Sequence, residues 1–273
     1  MTTMFTRARR NPSLLVGSII ISSVLFVAIF APLFFQANPF AIDLGAVLAA
    51  PSLRHPLGCD SIGRDVLARV LWGARLSIGV SVAVVSVSLV IGSIVGGAAA
   101  LAGGALDELL MRAVDVLLAF PGILLAIALA AILGPGVIDL IIALAAIGWT
   151  GYARLVRGEI LSLRERDYVI ASRSLGAKPS RLLFRHLLPA IAGPVAVQAT
   201  FGIGGIIVAE AALSFLGLGA RPPFPTWGNM IDEGRAFLLV APHITTAPGL
   251  AIGFCVLGFN FLGDGLAAVF APR

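Results

Sequence analysis

The sequence predicts an all-α fold: a polytopic membrane helical bundle of six transmembrane helices, with a long polar loop between spans four and five. Three observations lead there. Hydrophobic residues make up 59% of the chain and charged residues 12%, with a mean hydropathy of +1.02; soluble domains carry about 25% charge and 45–50% apolar residues. Apolar runs of spanning length recur along the chain, and 273 residues accommodate about six spans of ~20 residues plus their connections. The basic residues are shared unequally between alternate connections, which sets an orientation.

Residues 1–13 carry Arg7, Arg9 and Arg10 ahead of a long apolar run. That run is too long for the apolar part of a signal peptide, and no small-x-small cleavage site follows it. Residues 14–35 are therefore expected to be the first transmembrane helix, with 1–13 on the cytoplasmic side. Residues 36–75 form the first external segment, kept irregular in its first part by Pro39, Pro51 and Pro56. Beyond them Val66, Leu67, Val70 and Leu71 make an apolar stripe at helical spacing. Asp60 or Ser61 can cap its start, and a helix lying on the outer leaflet is expected.

Residues 76–273 hold the other five spans. Span two, about 76–102, contains Gly92, Gly96 and Gly97, whose small-xxx-small spacing predicts close approach of another helix. A short inside turn with Asp107, Glu108 and Arg112 leads to span three, 113–133, where Pro121-Gly122 predicts a kink. The turn Gly134-Pro135-Gly136 makes spans three and four antiparallel neighbours. Span four runs from 137 to about 153, with Trp149 and Tyr152 placed for an aromatic belt at its end. A loop over 154–190 follows, then span five (191 to about 216), a Pro/Gly-rich external segment (217–235) and span six (about 245–262). Cys59 and Cys255 fall in a loop and a span, with no second ligand at metal spacing.

Three basic residues in 1–13, Arg112, eight between Arg154 and Arg185, and Arg273 lie on one side, thirteen of the 19 Lys and Arg. The positive-inside rule puts that side, with both termini, in the cytoplasm. The net charge of +5 is thus read as topology, and no nucleic-acid partner is inferred from it.

The loop centres on YVIASRSLGAKPSRLLFRHLLPA, residues 168–190. It reads as two short helices broken at Gly176, which tolerates positive φ. Ile170, Ala171, Ser174 and Leu175 can share one face of the first. Pro179 suits the first turn of the second. Leu182, Leu183, Leu187 and Leu188 line one side of that second helix, Arg181 and Arg185 lie off it, and Pro189 ends it. Such an element either docks on a partner or lies on lipid as a basic amphipathic linker. A Gly among small residues, followed a dozen positions later by Leu-Pro, resembles the EAA loop of ATP-binding-cassette importer permeases. The resemblance implies that the loop supplies coupling helices to a cytoplasmic ATPase, with Ala171, Ser172, Leu175, Gly176, Ala177 and Lys178 at the contact.

The external stretch HPLGCDSIGRDVLARVLWGARLSIG, from His55, resembles the GTD-x-x-GRD-x-x-SR-x-x-x-GAR signature of dipeptide, oligopeptide and nickel importer permeases, with Cys59 for Thr and Ala68 for Ser. Asp60, Arg64 and Asp65 are expected either at an outer vestibule touched by a substrate-binding protein or in a self-contained capped helix with a structural ion pair. AEAALSFLGLG resembles the family's span-five ending. FNFLGDGL, with Asp264, resembles its last span, but Ala267, Ala268 and Ala271-Pro272 replace the usual charged tail.

Glu210 is the one acid deep in an apolar run, placed about 30 Å up its helix from the loop. It is read as structural support or as a substrate contact. The chain has no GxxxxGK[ST] phosphate loop, no HExxH and no GxSxG, and His55, His186 and His243 have no paired spacing. No catalytic role, cofactor or metal is expected. The resemblance implies a bacterial inner-membrane permease subunit for di- or oligopeptides, or nickel. It also implies partners: a second homologous permease, two ATPase subunits, an external binding protein and membrane lipid. The alternatives are a stand-alone secondary transporter or channel, expected to show internal repeats or midplane charges, and a membrane scaffold.

Overall fold

The computed structural model describes residues 11–34 and 38–270. The basic N-terminal residues Arg7, Arg9 and Arg10 and the final Ala271-Pro272-Arg273 lie outside the described residues. The helices run in the order α1 (Pro12–Phe34), α2 (Val66–Ala102), α3 (Gly104–Leu118), α4 (Gly122–Leu133), α5 (Val137–Leu163), α6 (Asp167–Ser174), α7 (Pro179–Leu182), α8 (Ala192–Phe215), α9 (Trp227–Gly234) and α10 (His243–Phe270). Five of these are long and apolar enough to cross a membrane, and α3 with α4, bent by 85°, makes a sixth if the pair is one span. This is the all-α bundle expected. The break at Pro121-Gly122 is far sharper than a kink. Pro121 is extended at the N-cap of α4, which it cannot join from within.

Several boundaries move for physical reasons. The stripe at Val66–Leu71 is no separate interfacial helix. It is the opening of α2, continuous for 37 residues and so about 55 Å long, well beyond the ~30 Å of a hydrocarbon core. Its cap is Asp65, which accepts from the Ala68 amide at 2.8 Å, in place of Asp60 or Ser61. Asp107, Glu108 and Arg112 lie on α3, the turn being confined to Gly103-Gly104. Span four does not stop near 153: α5 continues to Leu163. Tyr152 is therefore buried in the bundle instead of standing in an aromatic belt. The 217–235 segment contains a helix, α9, capped by Thr226.

Pro189 does not end its helix. A Pro ring crowds the carbonyl four residues back and offers it no N–H. Here the preceding residues, Leu183–Leu187, widen into a π turn in which the Leu188 amide bonds the Leu183 carbonyl. The helix continues through Leu188–Ala190 and breaks only at Ile191.

The packing rests on small residues, as the sequence suggests. A Cβ on Gly96 would come within 2.3 Å of the Ala153 carbonyl oxygen, and one on Gly92 within 2.5 Å of Tyr152 Cβ. The backbones of α2 and α5 are thus nearly in contact. Val80 and Val84 of α2 pack with Ala126, Ala130, Leu140, Ala143 and Leu213 in one core. Ile21 and Ala28 of α1 pack with Ile78, Ile207, Trp227 and Phe259 in another. Replacing Gly96 with Val is expected to destabilise the bundle by about 1–3 kcal/mol through overpacking, read as a lower unfolding midpoint in detergent. Gly151, beside which a Cβ meets nothing within 4 Å, is the position where the same change should be silent.

Candidate functional site

The loop end of the bundle is built on burial. Val169, Leu182, Leu187 and Ile191 pack with Val156 and Ile160 of α5 and Ala100 of α2. Leu182 and Leu187 of the second short helix's leucine stripe therefore face the chain's own core, while Leu183 and Leu188 are partly buried at its edge. What it leaves outward is the tip. α6 ends in a Schellman arrangement: the Gly176 amide bonds the Arg173 carbonyl at 2.9 Å and the Ala177 amide bonds the Ser172 carbonyl at 3.1 Å. Gly176 adopts φ +79°, and a Cβ there would meet nothing within 4 Å. Ala171, Leu175, Gly176 and Lys178 are exposed and Ser172 and Ala177 half-buried; Leu175 is 88% exposed. The structure brings the six expected coupling residues into one projecting turn, with its apolar member pointing away from the protein.

The segments before the tip are held by charge. Arg157 of α5 forms a two-pronged pair with Asp107 of α3, its Nη2 donating at 2.7 Å, and Arg154 pairs with Asp115 at 2.6 Å. Two of the loop's eight basic residues are thus tied to α3.

At the opposite end, Asp60, Arg64 and Asp65 are brought together, and two residues that sequence reasoning did not single out complete the group. Asp60 Oδ1 accepts the amides of Ile62 and Arg64 at 3.0 and 2.9 Å, closing a tight turn. Gly63 in that turn has φ +81°, and a Cβ there would collide with the Asp43 carbonyl. Asp60 Oδ2 accepts from Arg64 Nε at 2.6 Å and from Arg69 Nη1, and Glu233 Oε2 of α9 accepts from both arginines at 2.6 Å. Asp60 is 1% and Arg69 2% exposed. The four charges cancel, the condition for burying them. Asp65 is spent on the α2 cap and on His55 Nδ1 at 2.8 Å. Arg69 was legible in the signature itself. Glu233 could have been found by asking where the external arginines get their counter-charge. Cys59, fully buried beside this turn, is a free thiol whose pKa is raised by burial and then by Asp65, Asp60 and Asp43; it is held as an inert thiol.

Glu210 of α8 is 0% exposed. Ser214 donates to its Oε1 at 2.7 Å. Its Oε2 is buried without a partner among the described residues, while the adjacent Ser77 hydroxyl accepts the Trp227 amide at 3.5 Å. The Trp227 indole donates to the Val70 carbonyl at 3.0 Å, and a Cβ on Gly228 would come within 2.3 Å of the Ala211 carbonyl. Glu210 thus sits where α2, α8 and α9 converge.

The apolar bundle thus carries an exposed turn at one end and a buried ion cluster at the other. Residues 88–273 match the family described as the binding-protein-dependent transport system inner membrane component, and the chain belongs to that family. Among curated relatives, the dipeptide transport system permease protein DppC of Alkalihalophilus pseudofirmus is 42% identical over 269 residues, 98% of this chain and 88% of the relative. The glutathione transport system permease proteins GsiD of Shigella dysenteriae and Escherichia coli are each 43% identical over 269 residues, with the same coverage. The chain is accordingly a permease subunit of an ATP-binding-cassette importer. It is a transport component and not an enzyme, and it works with ATPase and binding-protein partners.

Replacing Arg69 with Ala leaves Asp60 buried beside a single arginine and is expected to cost about 3–5 kcal/mol, seen as a lowered denaturation midpoint. The double variant Asp60→Asn/Arg69→Met, which removes one charge of each sign, is expected to recover most of that loss.

Proposed function

We propose that this chain is the permease subunit of an importer for di- or oligopeptides, lying in a bacterial inner membrane with the 154–190 loop and both termini in the cytoplasm. The excess of Lys and Arg at the loop end supports that orientation. The names of the relatives, dipeptide and glutathione permeases, favour short peptides over nickel. The complete machine would pair this chain with a second homologous permease, two ATPase subunits and an external binding protein, in contact with membrane lipid.

The observation that carries the mechanism is the exposed turn at Leu175-Gly176 on a buried base. ATP-driven closure of the ATPases displaces a turn seated in their cleft. Because Val169, Leu182 and Leu187 are part of the bundle core, the displacement reaches α2 and α5 and biases the bundle between inward- and outward-facing packings. A stand-alone transporter offers no use for such a turn. At the other end, Asp60, Arg64 and Asp65 are proposed to give the outer face its shape, with neighbouring exposed residues making the contact with the binding protein. Glu210 is proposed as a structural joint between α2, α8 and α9. If Asp60→Asn/Arg69→Met folds but loses ATPase stimulation by the binding protein, the charges themselves make the contact and the shape-holding role is wrong.

Two substitutions at Gly176 test the coupling. Both Ala and Trp carry the same left-handed backbone penalty, about 1–2 kcal/mol, and the Cβ of either meets nothing within 4 Å in this chain. Gly176→Trp is expected to uncouple transport from ATP hydrolysis in the reconstituted importer, while Gly176→Ala stays coupled. Normal transport with normal ATPase stimulation in the Trp variant would show that this turn does not dock.

A further inference from the structure

A groove of 510 Å³ opens on the flank of the bundle beside the loop, between α2, the π turn and the start of α8. Its lining is apolar and includes Val90, Ile94, Phe184, Leu188, Ala192 and Val195. Val90, Ile94 and Phe184 are 55%, 60% and 66% exposed. We propose that this groove is a binding site for an anionic phospholipid, one acyl chain lying in the groove and the phosphate held by Arg181 and Arg185.

Depth in the membrane comes from the contact that forms the groove's inner wall. A Cβ on Gly97 of α2 would meet the Leu183 side chain at 3.1 Å, so the π turn lies against α2 five residues before its end at Ala102, about 8 Å along the axis. This end of α2, next to the loop's basic residues, is taken to lie where hydrocarbon gives way to headgroups. From there the lining residues Val90 and Ile94 extend the groove toward the hydrocarbon. The π turn and the residue after it supply Phe184 and Leu188 to the groove, while Leu187 stays fully buried in the core.

Charge selects the headgroup. Arg181 stands three residues before Phe184 and Arg185 one residue after it. Both are exposed, and neither forms an ion pair among the described residues. Arg154 and Arg157, by contrast, are neutralised by Asp115 and Asp107. No acid occurs between Tyr168 and Ala190. Guanidinium groups without an ion pair among the described residues, carried on the same turn as the groove-lining Phe184, match a lipid phosphate, which arginine can bind with two parallel hydrogen bonds. A zwitterionic headgroup presents the same phosphate but adds a cation that these arginines repel. The site does not depend on what the Leu175 turn docks against.

The test uses the full chain with whatever subunits it brings from the membrane, placed in nanodiscs of phosphatidylcholine with a minor fraction of phosphatidylglycerol. Bound lipid is counted by native mass spectrometry. The wild type is expected to retain phosphatidylglycerol in excess of its bulk share, and Arg181→Gln/Arg185→Gln to lose that excess about tenfold, the effect of removing charge-assisted hydrogen bonds. Ala192→Trp, which fills the groove without changing charge, should lose it too. Arg164→Gln/Arg166→Gln, which removes the same charge from exposed positions on the same end, should keep it. Equal retention by all four proteins, or equal loss from both charge variants, would overturn the proposal. So would efficient crosslinking of Ile94→Cys, by a thiol-to-amine or photoactivated reagent, to a second permease chain, which would make the groove a subunit interface.

Discussion

Burial of Val169, Leu182, Leu187 and Ile191 against Val156, Ile160 and Ala100 is the contact on which the rest of the account depends. Val169 and Leu182 of the loop each contribute about 1.5–3 kcal/mol by leaving water, and Leu187 and Ile191 add close packing against the helices, so the loop is fixed to the bundle by several contacts at once. A polar loop joined only through its backbone would absorb a push from a partner as local bending. This one cannot, because its inner side belongs to the same core as α2 and α5. The Asp107–Arg157 pair reinforces the joint by tying α5 to α3 just before the loop begins.

The opposite end is stiffened by different chemistry. There the chain buries two arginines and an aspartate, with Glu233 closing the group, and drives Trp227 and Gly228 of α9 against α2 and α8. Removing any one charge strands another, so the external turn and α9 move together or not at all. Glu210 sits just beneath, joined to Ser214 and next to Ser77. A bundle with stiffened ends and a helix pair between them, α3 and α4, bent by 85°, is suited to rearrange by shifts of whole elements, as two-state transport requires.

Much of this was legible in the chain. Composition and run length gave the all-α bundle of apolar helices, Gly176 the break in the loop, and Gly92 and Gly96 the close helix pair. These features are local, each carried by a residue type with a narrow structural use. What escaped depends on partners distant in sequence. Glu233 finds Arg64 and Arg69 more than 160 residues away, and Asp107 finds Arg157 across 50. Hydropathy windows end spans where charge begins, so they cut α5 at Arg154 although Asp115 and Asp107 supply the counter-charges. They also separated the opening of α2 from its span, since nothing local announces a 37-residue helix. Pro189 misled for a related reason: a proline ends a helix only when the backbone before it cannot widen, and here a π turn does so.

The most direct test of the central claim is a site-specific crosslink from Leu175→Cys, in a chain whose Cys59 and Cys255 are replaced by Ala, within the intact importer in native membranes. Leu175 is 88% exposed and stands at the tip of the turn. The account predicts a short-arm crosslink to the ATPase subunit whose yield changes when a non-hydrolysable nucleotide is added. A residue that crosslinks to lipid alone, or to the ATPase with a yield indifferent to nucleotide, would contradict it.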